Sequence, residues 1–172
     1  VRALCKRFDG DVILTARNED LGREAVAKLE GEGLKPRFHQ LDITSLESIA
    51  ALSQFLHSTY GGLDVLVNNA GMAYKSSTTA PFSEQARVTI RTNVTGTLDV
   101  CRGLFALLRP HSRVVNVSSK LGRLAILKPH LREKFSNPQL TEEELVALME
   151  QFVSAVAAGD HTSKGWGNTA YG

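Results

Sequence analysis

Four short apolar runs in this chain each end in residues that can do chemistry. Val12-Ile13-Leu14 gives way to Thr15-Ala16-Arg17, and residues 36–41 close on Asp42. Residues 63–67 stop at Asn68-Asn69-Ala70-Gly71, and residues 114–117 run into Ser118-Ser119. A guanidinium pairs with anions such as phosphate. A carboxylate accepts from an amino group, amides both donate and accept, and hydroxyls can hold an oxygen that gains negative charge. A glycine leaves backbone that a ligand can approach closely. Each piece also has a plainer reading: Asn-Asn-Ala-Gly and Ser-Ser are ordinary turn formers, and Arg17 is a solvated loop arginine. Position sets them apart. The runs are too short for helices and stop abruptly, which reads as buried strands of a parallel sheet. In open α/β sheets the carboxyl ends of the strands are where ligands bind.

The segments between the runs have the pattern needed to position those ends. Residues 1–8 look like the back half of a helix, with Leu4 and Phe8 on one face and Gly10 as its C-cap. Asn18-Glu19-Asp20 opens a helix with Leu21, Ala25 and Leu29 on one face, ended by Gly31 and Gly33. Thr44 and Glu47 have capping-box spacing, and Ile49, Leu52 and Leu56 form the apolar stripe behind them, up to Gly61-Gly62. After a polar loop at 76–80, a long helix is expected over about residues 83–108, loosely interrupted at Thr95-Gly96. Strands alternating with helices argue a parallel sheet with right-handed crossovers. About fifty residues separate Ser119 from Tyr171, more than a usual connection. Thr141 with Glu144 repeats the capping box there, Leu145, Leu148, Met149 and Phe152 share a face, and a short helix fits 130–135. The plain expectation for this inserted element is a surface lid.

Composition narrows the function. The chain has 172 residues and a net charge of +2 with acids and bases interspersed, which excludes a nucleic-acid face. Cys5 and Cys101 resemble neither a metal pair nor a disulfide framework, and the five histidines have no ligand spacing, so no metal is expected. No segment is apolar for long enough to span a membrane. The expectation is a cytoplasmic protein with no nucleic-acid or membrane partner. A first residue other than methionine, and an opening half-helix, read as an internal piece of a longer chain.

The ordered set Asn68-Asn69-Ala70-Gly71, Asn93, Asn116-Val117-Ser118-Ser119 and Tyr171 resembles the short-chain dehydrogenase/reductase family. Within it the carbonyl reductases are the nearest likeness, through Leu14-Thr15-Ala16-Arg17, residues 37–42, residues 141–145 and Gly165-Trp166. The resemblance implies an α/β fold of Rossmann type: a doubly wound parallel sheet, incomplete at both ends, as one partial dinucleotide-binding domain over residues 1–172. The helical insertion, at about residues 121–165, precedes the catalytic tyrosine. Such an insertion is that of members that stay monomeric.

The resemblance also implies roles. Tyr171 supplies the proton to the carbonyl oxygen, Ser119 holds that oxygen, and Asn93 completes a water-linked relay. A phenol ordinarily titrates near about 10 and needs nearby positive charge to act at neutral pH; the family's lysine for this lies one helical turn past the tyrosine, beyond Gly172. NAD-binding folds place an acid at the end of the second strand, whereas an arginine suits the 2′-phosphate of NADP(H). Arg17 therefore points to NADP(H), although Glu19 and Asp20 follow closely and Leu21 stands where a second basic residue is common. Asp42 and Ile43 match the adenine contacts, and Asn69, Ala70 and Gly71 match the backbone along the adenine ribose. Tyr74 and Gln85 would line the mouth of the site with Ser119. The implied partner is a small-molecule ketone, aldehyde or quinone. The glycine-rich turn that grips a pyrophosphate is not in this stretch, so residues 1–172 alone are expected to be inactive. Plainer alternatives stay open: Asn93 as a core amide, Tyr171 as a half-buried tyrosine. So do other functions on the same fold: a catalytically dead dinucleotide sensor, or an epimerase or dehydratase.

Overall fold

The computed structural model describes Val1–Tyr171. Its contacts group into two compact units, Val1–Asp64 with Asp99–Ser112, and Val65–Leu98 with the chain from Arg113 onward. No helix among the described residues is long and apolar enough to cross a membrane.

In the first unit α1 (Arg2–Cys5) is a single turn that ends at Lys6 and buries nothing. The expected longer helix capped by Gly10 does not form: the Phe8 ring lies where a Gly10 Cβ would be, and Leu4 and Phe8 remain 38% and 37% exposed. β1 (Ile13–Ala16) and β2 (Arg37–Gln40) pair in parallel, with Ala16 opposite Gln40. The crossover is α2 (Glu19–Glu30), capped by Asn18, whose side chain accepts from the Leu21 N–H at 2.9 Å. Its buried residues are Gly22 and Leu29; Leu21, expected on the inner face, is 64% exposed. The reason is Phe38 on β2, whose ring occupies the space a Cβ on Gly22 would need. Helix and strand meet at the glycine, which turns Leu21 outward.

α3 (Leu46–Tyr60) begins one residue later than the spacing suggests. Ser45, not Thr44, is the N-cap, and its hydroxyl accepts from the Ser48 N–H at 3.2 Å. Thr44 is already committed, because its N–H and hydroxyl both donate to the Asp42 carboxylate, at 2.8 and 2.7 Å. That Asx turn ends the strand and aims the chain into the helix. Ile49, Leu52 and Leu56 form the buried stripe as expected, with Val12, Leu14, Leu29, Leu41 and Ile43 also buried in this unit.

β3 (Leu63–Asn68) and β4 (Leu108–Asn116) are neighbours in a second two-stranded sheet. β4 starts at Leu108, where the long helix is expected to end and ahead of the expected run at 114–117. Neither strand is the buried one expected: Val67, Val114, Val115 and Val117 are 37–58% exposed. A two-stranded sheet offers two faces, and among the described residues no layer closes over these valines. The long helix is three pieces: α4 (Phe82–Ile90), a π-helical stretch Arg91–Gly96, and α5 (Thr97–Leu104), followed by a 3₁₀ turn Phe105–Leu107. The interruption thus starts four residues before Thr95, and Asn93 lies within it.

The insert is not a surface lid; it supplies the core of the second unit. α6 (Pro129–Phe135) and α7 (Glu142–Ala158) follow two short 3₁₀ turns. The Thr141–Glu144 capping box forms in full, the Thr141 N–H donating to the Glu144 carboxylate at 2.9 Å and the Glu144 N–H to the Thr141 hydroxyl at 3.2 Å. Leu148, Met149, Phe152, Ala155 and Val156 of α7 pack with Ala86 and Ile90 of α4, Leu131 of α6 and Trp166. Gly165 adopts φ +98°, a conformation only glycine takes readily, and its carbonyl accepts from the Lys128 N–H at 3.1 Å. That turn sets Trp166 against Phe152, with ring centroids 5.4 Å apart. Phe152 is fully buried. Phe152→Ala should therefore cost about 3–5 kcal/mol, read as an earlier urea midpoint of Trp166 fluorescence; a shift no larger than that of an exposed substitution would refute this placement of the core.

Candidate active site

Arg17, Asp42, Asn69–Gly71 and Ser119 fall just past the carboxyl ends of strands, whereas Asn93, Gln85 and Tyr171 do not. In the first unit the parallel register places Arg17 and Asp42 at the same end of their sheet, because the Leu41 N–H donates to the Ala16 carbonyl at 3.0 Å. A relay of hydrogen bonds ties the two together. The Gln40 side-chain amide donates to the Arg17 carbonyl at 3.1 Å, the Ser48 hydroxyl donates to Gln40 Oε1 at 2.8 Å, and the Asp42 N–H donates to Ser48 Oγ at 2.9 Å. Gln40 and Ser48 are positioning residues that the sequence reading passed over. The available signal was a polar side chain at the end of an otherwise partly buried strand.

Arg17 is exposed, and its guanidinium has no ion pair among the described residues. An uncompensated guanidinium beside a rigid strand end is suited to a bidentate bond with a phosphate. One oxygen of the Asp42 carboxylate is spent on Thr44. The Ile43 side chain is 8% exposed and belongs to the core, so it is the backbone at this position that a ligand could reach.

In the second unit the ends of β3 and β4 lie side by side. The Val117 N–H donates to the Asn68 carbonyl at 2.9 Å, and the Asn68 amide donates to Asn116 Oδ1 at 2.8 Å. This amide pair is a second feature missed from sequence, where both asparagines counted only as motif letters. Beyond it Asn69, Ala70 and Gly71 are exposed. Asn93 then grips the following residue at both backbone groups: Oδ1 accepts from the Met72 N–H at 2.8 Å, and Nδ2 donates to the Met72 carbonyl at 2.9 Å. A Cβ on Gly71 would lie 3.2 Å from Asn93 Oδ1, so glycine lets that grip close. The π-helical turn matters here, since an extra residue per turn re-aims a side chain relative to the helix around it. The Asn93 carbonyl accepts from the Thr97 hydroxyl at 2.9 Å.

Ser119 stands exposed just past β4. Its Oγ accepts from the Leu121 N–H at 3.2 Å, which leaves the hydroxyl hydrogen to donate elsewhere. Gln85 is tied to the loop ahead of its helix, donating to the Ala80 carbonyl at 2.8 Å, and Tyr74 points its hydroxyl at Glu84 across a long 3.5 Å contact. Tyr171 is half-buried, its N–H 3.4 Å from the Thr169 hydroxyl. Residues Ser119, Asn93 and Asn69–Gly71 thus belong to one polar end of the second unit. Arg17 and Asp42 form a separate pair in the first.

The Asn93 grip gives a direct prediction. A hydrogen bond of this kind contributes about 0.5–1.5 kcal/mol, so Asn93→Ala should speed hydrogen exchange of the Met72 amide by about tenfold, while exchange in α2 is unaltered. Equal protection in both proteins would show that the loop is held by other contacts.

Comparison with known proteins follows the same lines. The family model for short chain dehydrogenase matches residues 2–128. Carbonyl reductase (NADPH) 1 of Oryctolagus cuniculus is 56% identical over 173 residues, covering 99% of this chain and 62% of its own. The chain therefore spans about three-fifths of the length of that relative. Among solved structures, menthone neomenthol reductase from Mentha piperita has a TM-score of 0.87 at 29% identity, over 99% of this chain and 74% of that one. Salutaridine reductase from Papaver somniferum has a TM-score of 0.88 at 26% identity, over 99% and 70%. The fold is thus the α/β Rossmann type, and the chain belongs to the short chain dehydrogenase family.

Proposed function

We propose that the protein containing this chain is a cytoplasmic NADPH-dependent reductase of carbonyl compounds (ketones, aldehydes and quinones). The observation that carries the reading is the exposed Ser119 hydroxyl at the end of β4, on the same polar end as the Asn93-held loop Asn69–Gly71. The 56% identity to a carbonyl reductase, which runs through the insert as well as the strands, supports it.

The residues present fit an NADP(H) cofactor. Arg17, exposed and without an ion pair among the described residues, would take the 2′-phosphate. The Asp42 carboxylate, held at the strand end by Thr44, would accept from the adenine amino group, with the Ile43 backbone beside it. Asn69, Ala70 and Gly71 offer exposed backbone for the ribose. When bound, the cofactor supplies the hydride.

The chain's own residues manage the oxygen and its proton. Ser119 donates its hydroxyl hydrogen to the substrate carbonyl oxygen while its Oγ accepts from the Leu121 N–H. That bond strengthens as negative charge builds on the oxygen. Tyr171 transfers its phenolic proton to the same oxygen, completing the alcohol, and is reprotonated from solvent. Both side-chain groups of Asn93 are used on Met72, so its part in a water relay falls to its backbone carbonyl, which also accepts from the Thr97 hydroxyl. Tyr74 and Gln85 form the substrate side of the loop. The α4–α7 core supports a monomer, because the insert covers a face of α4 that could otherwise pair with a second copy.

In full-length protein, Tyr171→Phe should lower kcat by at least about a hundredfold with NADPH affinity within about twofold. Unchanged turnover would remove Tyr171 from the chemistry and favour a binding role. In the same assay residues 1–172 alone should not oxidise NADPH, since isolated two-stranded sheets are marginal, and light scattering of the full-length protein should read a monomer.

A further inference from the structure

The segment that follows Ser119 carries an unusual surface. Between residues 120 and 134 stand five cations, Lys120, Arg123, Lys128, Arg132 and Lys134, against a single acid, Glu133. All five cations are exposed, and none has an ion pair among the described residues. Some exposed arginines elsewhere in the chain do find acids, as Arg2 does with Glu32 and Arg23 with Glu19. Interleaved with these cations are three large apolar side chains open to solvent: Leu121, Leu124 and Ile126, at 45%, 40% and 45% exposure. The strip is thus both cationic and apolar, its cations without an ion pair among the described residues and its apolar side chains partly open to solvent.

Its attachment says what it serves. Ser119 is the N-cap of the 3₁₀ turn Lys120–Gly122, so the first cation and the first apolar side chain are fixed to the serine proposed to hold the carbonyl oxygen. Adjacent Cα atoms are 3.8 Å apart and a lysine stem is four carbons long, which puts the Lys120 ammonium within roughly 10 Å of the Ser119 hydroxyl. Arg123 follows one 3₁₀ turn later. The Lys120 distance is comparable to the Debye length of about 8 Å at physiological salt. Lys120 is thus close enough to act on a ligand at Ser119, and Arg123 is the next cation along the chain.

We infer that the protein prefers carbonyl substrates that carry an apolar body and a carboxylate a few bonds from the ketone. Lys120 and Arg123 receive the carboxylate, and Leu121 and Leu124 receive the body. This inference rests on the reductase reading above and adds the substrate's charge to it. Because the pairs would be partly solvated, each cation is expected to contribute a few-fold in affinity.

The test uses full-length protein, saturating NADPH and two matched ketones, 4-oxo-4-phenylbutanoate and its primary amide 4-oxo-4-phenylbutanamide. The acid should have the higher kcat/KM, and Lys120→Gln with Arg123→Gln should lower the acid-to-amide ratio by about tenfold. Should that double variant fail to fold, the unaltered protein still decides: raising NaCl from 50 to 300 mM should raise KM for the acid severalfold more than for the amide. An acid-to-amide ratio that neither the substitutions nor salt alters overturns the inference and leaves the reductase reading standing. Turnover of neither ketone overturns both.

Discussion

Strand pairing that aligns carboxyl ends is the constraint on which the candidate site depends. In the first unit the register of β1 on β2 sets Ala16 opposite Gln40, so the next residues along, Arg17 and Asp42, emerge together. In the second unit the Val117–Asn68 backbone bond does the same for β3 and β4. A one-residue slip in either pair would send the side chains at these ends to the opposite face. Both pairs carry side-chain amide bonds at these ends: Gln40 between Arg17 and Ser48, and Asn68 on Asn116.

The stability of the second unit comes from elsewhere. Its sheet leaves four valines more than a third exposed, whereas the insert buries Phe152, Ala155 and Leu131 almost completely. Apolar burial at ~25 cal/mol per Å² therefore accumulates on α4, α6, α7 and Trp166, not on β4. α4 leads directly into the π-helical turn that carries Asn93. The packing of the insert and the grip on Met72 thus act on one continuous helix, which couples the rigidity of the loop after β3 to a core some eighty residues later in the chain.

Much of this was legible in sequence because it depends on local rules. The Thr141–Glu144 box, the Asn18 cap, the Ile49–Leu52–Leu56 stripe and the polar strand ends all follow from spacing within a few residues. The failures share a different cause. Leu21 faces solvent because Phe38, on another element, claims the space at Gly22. Ser45 replaces Thr44 as a cap because Asp42 competes for Thr44 first. The exposure of Val114, Val115 and Val117 depends on which layers surround a strand, something an apolar run does not encode. A π-helical turn has no distinct periodicity in so short a span, so the Asn93 grip was invisible even though Asn93 itself was singled out. Local chemistry reads well from sequence; partners supplied by other elements do not.

The central proposal, that Arg17 at the end of β1 takes the 2′-phosphate of NADP(H), is tested most directly by calorimetric titration of NADPH and NADH into full-length protein and its Arg17→Gln variant. A charge-assisted hydrogen bond contributes about 1.5–3 kcal/mol, so the account predicts that the variant binds NADPH roughly tenfold to a hundredfold more weakly, with NADH affinity within about twofold. NADPH affinity indifferent to Arg17, or an equal loss for both dinucleotides, would contradict it.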